Sequence, residues 1–233
     1  HAARRGRLFS CEETVSPMSM SSLRGQLLLS APQMQDPNFM HTVVLICQHD
    51  EHGAFGVTVN RVSDALIRDV FPEVPVLKDL DLAIRSGGPV SPNSLQILHR
   101  LPPGVGLGEF DSDGAEGSEA ALEVEAGHGF GLVHAGVEIA PGVRLGADLS
   151  QVADFMACEP GADSMARFVV GYSGWGEGQL DAEMETGSWL PVPATPDLVF
   201  ADGTGETVWR AALQRVPGGG DSLSHLPPDP SWN

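Results

Sequence analysis

Lysine and tyrosine are nearly absent from this chain: Lys78 and Tyr172 are the single examples in 233 residues. Basic residues of any kind are scarce. Lys plus Arg is 13 against 31 Asp plus Glu, a formal net charge of −18. The shortage is uneven. Residues 101–209 hold 19 acidic residues and only two basic ones, Arg144 and Arg167. A phosphate backbone is gripped by clustered Lys and Arg, and neither 101–143 nor 168–209 contains any. Direct nucleic-acid binding is therefore disfavoured, and so is an anionic membrane surface.

Long hydrophobic runs are missing as well. Leu27-Leu28-Leu29 and Val43-Val44-Leu45-Ile46-Cys47 fall far short of the ~20 apolar residues that a membrane-spanning helix needs. Cysteine is sparse: Cys11, Cys47 and Cys158 are too few and too scattered for a disulfide framework. Arg4, Arg5 and Arg7 are not followed by an apolar stretch, so no signal peptide is expected. These absences predict a reduced, cytoplasmic protein with no membrane contact and no bound cofactor.

What is present is enough for a core. Apolar residues make up 42% of the chain, with four Trp and nine Phe, which excludes a disordered acidic chain. Residues 1–22, polar and rich in Ser and Met, read as a flexible leader. A single domain is expected over 23–216, with an acidic, glycine-rich loop at 102–119. The Pro/Gly-rich 217–233 reads as a disordered tail.

Periodicity and turn residues place the elements. Gly25–Ser30 reads as a strand. Thr42–His49 is apolar on both faces, the mark of a buried strand. A turn at Asp50–Gly53 leads into a return strand, Ala54–Asn60. Ser63 is expected to cap a helix that Pro72 ends, with Leu66, Ile67, Val70 and Phe71 on one side. Leu82–Arg85 and Leu95–His99 read as strands joined by Ser86–Val90, with a turn at Pro92-Asn93. Ala121–Glu125, Phe130–His134 and Gly136–Ile139 are further strand candidates. Asp148 is expected to cap a helix over Leu149–Cys158. Arg167–Gly171 reads as a strand, Gly174–Gly178 as a loop, and Gln179–Glu185 as a helix that Gly187 can stop. A last helix covers Glu206–Val216. Strands and helices interleave irregularly, which predicts an α+β domain rather than a doubly wound sheet.

Several residue groups could carry chemistry, and each has a plainer use. Cys47 and His49 project from one face of a strand and could hold zinc or form a thiolate–imidazolium pair. No second paired motif completes a zinc site, and a buried Cys filling space is the commoner use. Tyr172–Leu180, with Gly174, Gly176 and Gly178, could cradle an anion at the start of a helix. It lacks the Lys-Ser/Thr of a phosphate loop, and Glu177, Asp181, Glu183 and Glu185 around it repel phosphate. A tight connector packed by Trp175 is the favoured reading over a phosphate site, and Trp175 could equally wall a small-molecule pocket. Ser86-Gly87-Gly88-Pro89 could offer amides to an anion or simply bend the chain. Asp36-Pro37-Asn38 could supply a carboxylate or close a turn.

Taken in order, these segments resemble a known family. Leu23–Leu29, Ala31-Pro32 and Asp36-Pro37-Asn38-Phe39 come first. Val44–His49, Gly53–Asn60, Gly87-Gly88-Pro89-Val90 and Leu98-His99 follow. Gly171–Leu180 and Ser188-Trp189-Leu190 close the set. The ordered series resembles the bacterial AlgH/YqgE family over about residues 23–215. The resemblance implies a single α+β domain whose bent, branched mixed β-sheet forms a pseudo-barrel flanked by helices. It implies a fold more than a reaction. The family name carries a label of transcriptional regulator of alginate synthesis. Asp36, Cys47, His49, Asn60, Gly87, Gly88, His99, Trp175, Gln179 and Trp189 match its polar or special positions. The chain departs from the pattern at Val62, where many members have Pro, at Gly187, often Asn, and in the longer Gly108–Gly117 stretch.

The expected function is a regulatory or protein-binding module without established catalytic activity, acting through a protein partner. The alternative is a small-molecule-binding protein or enzyme with a pocket beside Gly174–Gly178. Its candidate cluster is Asp36, Asn60, Gly87, Gly88, His99, Trp175, Gln179 and Trp189. Cys47 and His49 are weak metal candidates only.

Overall fold

The structure is a computed structural model that describes residues 22–72, 75–78, 81–101, 136–147 and 149–218. The leader, the acidic loop 102–119, the strand candidates Ala121–Glu125 and Phe130–His134, the Asp148 cap and the tail fall outside these residues. Ser22, Pro217 and Gly218 are the exceptions.

The two apolar strands of the N-terminal third lie at the heart of the fold. In β1 (Gln26–Ser30) and β2 (Val43–Asp50), alternate residues enter different core layers. Leu27, Leu29, Val43, Leu45 and Cys47 join one layer. Leu28, Val44 and Ile46 join another. A strand buried on both faces needs apolar residues at every position, which is the pattern these segments show. β3 (Gly53–Thr58) returns antiparallel to β2 after the expected tight turn.

The remaining strands among the described residues are β4 (Val62–Leu66), β5 (Ala83–Ser86), β6 (Val90–His99), β7 (Val137–Ala140), β8 (Val143–Leu145), β9 (Ala166–Trp175) and β10 (Trp189–Pro193). The main path runs β10-β1-β2-β3-β9-β6-β8-β7, and β5 branches from β9 carrying β4 with it. Ser173–Trp175 of β9 pair with β3, whereas Val169 and Val170 pair in parallel with β5. One edge of β9 thus serves two neighbours, and the sheet splits there. The result is a curled, mixed sheet with flanking helices in a single α+β domain.

The branch is built by glycine. Gly171, between the two halves of β9, has φ +73. Gly87 donates its N–H to Val170 O and accepts from Thr58 N–H, both at 2.8 Å. A Cβ on Gly87 would lie 2.3 Å from Gly171 O, and one on Gly88 2.3 Å from Tyr172 C. Three backbones meet closer than any side chain permits.

Helix α2 (Leu149–Cys158) covers the layer containing Phe168, Ile97 and Ile67. Helix α3 (Gln179–Glu185) covers Leu28, Ile46, Trp175 and Trp189 through Leu180. Helix α5 (Gly205–Leu213) places Trp209, Ala212 and Leu213 in the layer of Leu27 and Leu45. The short helices α1 (Ile67–Val70) and α4 (Pro196–Val199) complete the described set.

Two expectations need correction. Ser63 starts no helix: Val62–Leu66 is a strand, and the Ser63 hydroxyl accepts from the N–H of Ala65, two residues on. That local turn competes with a helical cap, and pairing with β5 decides the outcome. Pro92-Asn93 does not break the chain. It lies within β6, where the pairing with β9 slips between Val90 and Leu95. Such an irregularity is where a strand tolerates a residue lacking an N–H. β8, β10 and α4 were not anticipated as elements.

Candidate functional site

The glycine-rich segment is shorter as a loop than its composition suggests. Gly174 and Trp175 still belong to β9, opposite Phe55 and Ala54. Only Gly176, Glu177 and Gly178 connect it to α3, and Gly178 takes the left-handed conformation at the helix start, φ +64. The side chain of Gln179 turns back on this loop, and its Oε1 accepts from Gly176 N–H at 3.1 Å. That bond occupies an amide which could otherwise face an anion.

Below the loop, one carboxylate gathers three side chains. Trp175 Nε1 and Trp189 Nε1 both donate to Oε2 of Glu183, at 3.0 and 2.8 Å. Gln179 Nε2 donates to its Oε1 at 3.0 Å. The two indoles are buried and stand edge to face, and Phe39 packs edge-on against Trp189. Glu183 is the residue that sequence reasoning overlooked. It was counted only as one of four acids around the loop, yet it anchors α3 to β9 and β10. A second anchor is His49. Its Nδ1 accepts from Leu23 N–H at 3.1 Å, which places the ring proton on Nε2, 3.4 Å from Asp181 Oδ1.

The other candidates sit elsewhere, each engaged locally. Asp36 is exposed, and its Oδ1 accepts from Asn38 N–H within its own turn. Asn60 is buried and makes three bonds: Oδ1 accepts from Val43 N–H at 2.9 Å, and Nδ2 donates to His41 O and Gly205 O at 2.8 Å each. It ties the start of β2 to the start of α5. Gly87 and Gly88 form the sheet branch already described. His99 is buried, with Nε2 bonded to Gly146 O at 3.0 Å and Nδ1 facing Leu101 N–H at 3.4 Å. Burial lowers its pKa, since the charged imidazolium would lose its water. Trp175, Gln179 and Trp189 therefore come together, whereas Asp36, Asn60, His99 and the Gly87-Gly88 pair do not join them.

Cys47 faces the core and shares its layer with Leu27 and Val57. Its thiol lies 3.6 Å from Leu45 O, and burial pushes its pKa up to about 12. A thiol so poorly ionised is a weak nucleophile and a weak metal ligand. Among the described residues, no three His, Cys, Asp or Glu side chains are grouped to hold a metal ion.

Two buried cations complete the inventory. Arg85 of β5 and Arg167 of β9 are 7% and 8% exposed. Desolvation, with the neighbouring Arg167 next in weight, pushes Arg85 down to about 10. Burial likewise lowers Arg167, opposed by Asp202. The one sequence signal for them was Arg167 itself, one of two basic residues in a long acidic stretch.

The chain matches the family described as DUF179: AlgH-like over residues 27–220. The chain belongs to the AlgH-like family. A UPF0301 protein of Streptomyces coelicolor is 34% identical over 215 residues, covering 92% of this chain and 97% of the relative. A UPF0301 protein of Chlorobium chlorochromatii is 30% identical over 209 residues, covering 90% and 94%. The crystal structure of DIP2367 from Corynebacterium diphtheriae superposes with a TM-score of 0.61 at 27% identity, covering 87% of this chain and 92% of that one. The solution structure of AlgH from Pseudomonas aeruginosa gives 0.56 at 25% identity, covering 92% and 99%. The family match over residues 27–220 spans this chain from within β1 to beyond α5.

Proposed function

We propose that this AlgH-like chain is a cytoplasmic regulatory module that binds a protein partner and performs no chemistry at its glycine-rich loop. One observation carries the reading: the polar atoms of Trp175, Gln179 and Trp189 are already matched by Glu183 and Gly176. Groups so engaged brace a surface; they are not free to bind or activate a substrate. The bracing holds α3 rigidly against the sheet, with Glu177, Gly178 and Glu185 on its exposed side. A preorganised surface binds with less loss of freedom than a mobile one. Asp181 and Glu183 face inward, so Glu177 and Glu185 are the charges that a partner meets, and a basic segment suits them.

No helix among the described residues is long and apolar enough to cross a membrane. The chain's net charge of −18 opposes a direct grip on DNA, so regulation would run through protein contact. A photo-crosslinking residue placed at Glu177 or Glu185 of the full chain, in cells, tests the reading. The expected result is one discrete product from both positions, absent when the same residue replaces Asp154 on α2. Identical patterns from all three positions would refute a specific α3 surface. Tight binding to duplex DNA at physiological salt would refute the protein-only route.

A further inference from the structure

Arg85 and Arg167 lie on one face of the sheet. The parallel register sets Arg85 beside Val169, and Arg167, two residues earlier on β9, shares that face. Val169 belongs to the layer under α5, not to the layer under α3. The guanidinium of Arg167 is largely committed. Nη1 donates to Asp163 O and Ala166 O, and Nη2 to Phe200 O and to Asp202 Oδ1 at 2.8 Å. Its Nε is buried and has no partner among the described residues. Arg85 is freer still. Among the described residues it makes one hydrogen bond, from Nη1 to Val59 O at 3.2 Å.

A third cation stands close to Arg167. Arg100 and Arg167 both lie over the ring of Phe200, with Cζ 5.2 and 5.8 Å from its centroid. Two carboxylates act on Arg167: Asp202, and Asp163, whose Oδ1 is held by Ser164 N–H. Asp202 is 83% exposed, so water screens its pairing. A buried guanidinium is costly unless its donors and its charge are matched. Here the buried Nε–H of Arg167 is unmatched among the described residues, and Arg85 has one hydrogen bond there, in a chain that is otherwise strongly acidic.

We propose that Arg85 and Arg167 form a binding site for the oxyanion group of a small molecule, a carboxylate or a phosphate. Asp202 is the internal carboxylate that occupies the site when no ligand is present. The guanidinium fork matches two oxygens of such a group at once. Phe200 holds the Arg167 plane from the side, so little freedom is lost on binding. The exposed loop carrying Asp202 can release it to water, whereas the arginines stay fixed in their strands. This site lies apart from the α3 surface and stands or falls independently of it.

The test uses the full chain at constant ionic strength, titrated separately with inorganic phosphate and with succinate. The Nε–H signals of Arg85 and Arg167 are followed by proton–nitrogen correlation NMR. A saturable shift of these signals with one probe supports the site, and the probe that saturates at lower concentration identifies the oxyanion. Asp202→Asn removes the internal competitor at an exposed position. It should bind that probe about tenfold more tightly, about 1.4 kcal/mol. Arg85→Gln should abolish saturation, with urea unfolding as the check on its fold. If Arg85→Gln does not fold, the comparison between the wild type and Asp202→Asn decides. Linear, non-saturating shifts for both probes in the wild type and in Asp202→Asn would overturn the proposal.

Discussion

Trp175 and Trp189 give their indole N–H groups to the same oxygen, Oε2 of Glu183, with 6.1 Å between their ring centroids. They come from β9 and β10, strands separated in sequence by α3 itself. The helix is therefore anchored at both of its chain ends and again at its centre. Charge-assisted bonds of this kind are stronger than neutral ones, and the burial of the two rings keeps water from competing for them.

Replacing that carboxylate tests its role. Glu183→Leu leaves two buried indole donors without partners and should destabilise the fold by about 2–5 kcal/mol. Glu183→Gln keeps a carbonyl oxygen in place and should cost only about 1 kcal/mol, the difference between a charged and a neutral acceptor. Urea unfolding followed by tryptophan fluorescence measures both. An unchanged midpoint in Glu183→Leu would mean that burial of Leu180 alone seats the helix.

Cys47 and Cys158 should react very differently. Cys47 is buried, with its pKa pushed up to about 12, whereas Cys158 is exposed at the end of α2. At pH 8 the Cys47 thiol remains protonated, and the thiolate is the nucleophile. Alkylation of the native protein, read by peptide mass spectrometry, should modify Cys158 and spare Cys47 until urea unfolds the chain. Modification of Cys47 at a rate equal to that of Cys158 would contradict the core placement and reopen the thiolate–imidazolium pairing with His49.

How legible this fold was depends on the length scale of each signal. The double-faced apolar pattern of Val43–Cys47 announced a buried strand because every residue in it obeys the same rule. Gln179–Glu185 and its stop near Gly187 were equally local. Val62–Leu66 misled because a hydroxyl near a helical stripe looks like a cap, and only pairing with β5 resolves it. Glu183 looked like an ordinary surface acid. Its partners lie on two strands whose meeting beneath α3 no local pattern encodes. Arg85 and Arg167 were invisible as a pair for the same reason. They are 82 positions apart and are brought together by a parallel pairing at the sheet branch.

His99 should make stability depend on pH. Its Nε2 is bonded to Gly146 O, and Nδ1 faces Leu101 N–H, so protonation at Nδ1 would set two donors against each other. Burial lowers its folded-state pKa from the ordinary value of 6.5. Below 6.5 the unfolded chain takes up a proton more readily than the folded one. The stabilisation is fully present above that pH and is lost as pH falls through the folded-state value. His41, also lowered chiefly by burial, adds in the same direction. Urea midpoints measured from pH 8 down to pH 5 should decline, and His99→Gln should flatten the decline. An equal slope in both proteins would assign the effect to other groups.

Two glycines separate space from backbone conformation. Gly178 has φ +64, but a Cβ there would meet nothing within 4 Å. Gly178→Ala should cost only the left-handed penalty of about 1–2 kcal/mol, and Gly178→Asn less. Gly87 poses the opposite problem. Its added Cβ would lie 2.3 Å from Gly171 O and 2.6 Å from Val169 Cγ1. The oxygen belongs to the backbone of β9, which is paired with β6 and cannot retreat without opening the branch. Gly87→Ala should therefore cost about 3 kcal/mol or more, at the upper end of what overpacking does. The loss should appear as a lower urea midpoint and as faster amide exchange at Thr58, whose N–H is bonded to Gly87 O. If Gly87→Ala proved as mild as Gly178→Ala, the three backbones would not be in contact, and the branch of the sheet would need another cause.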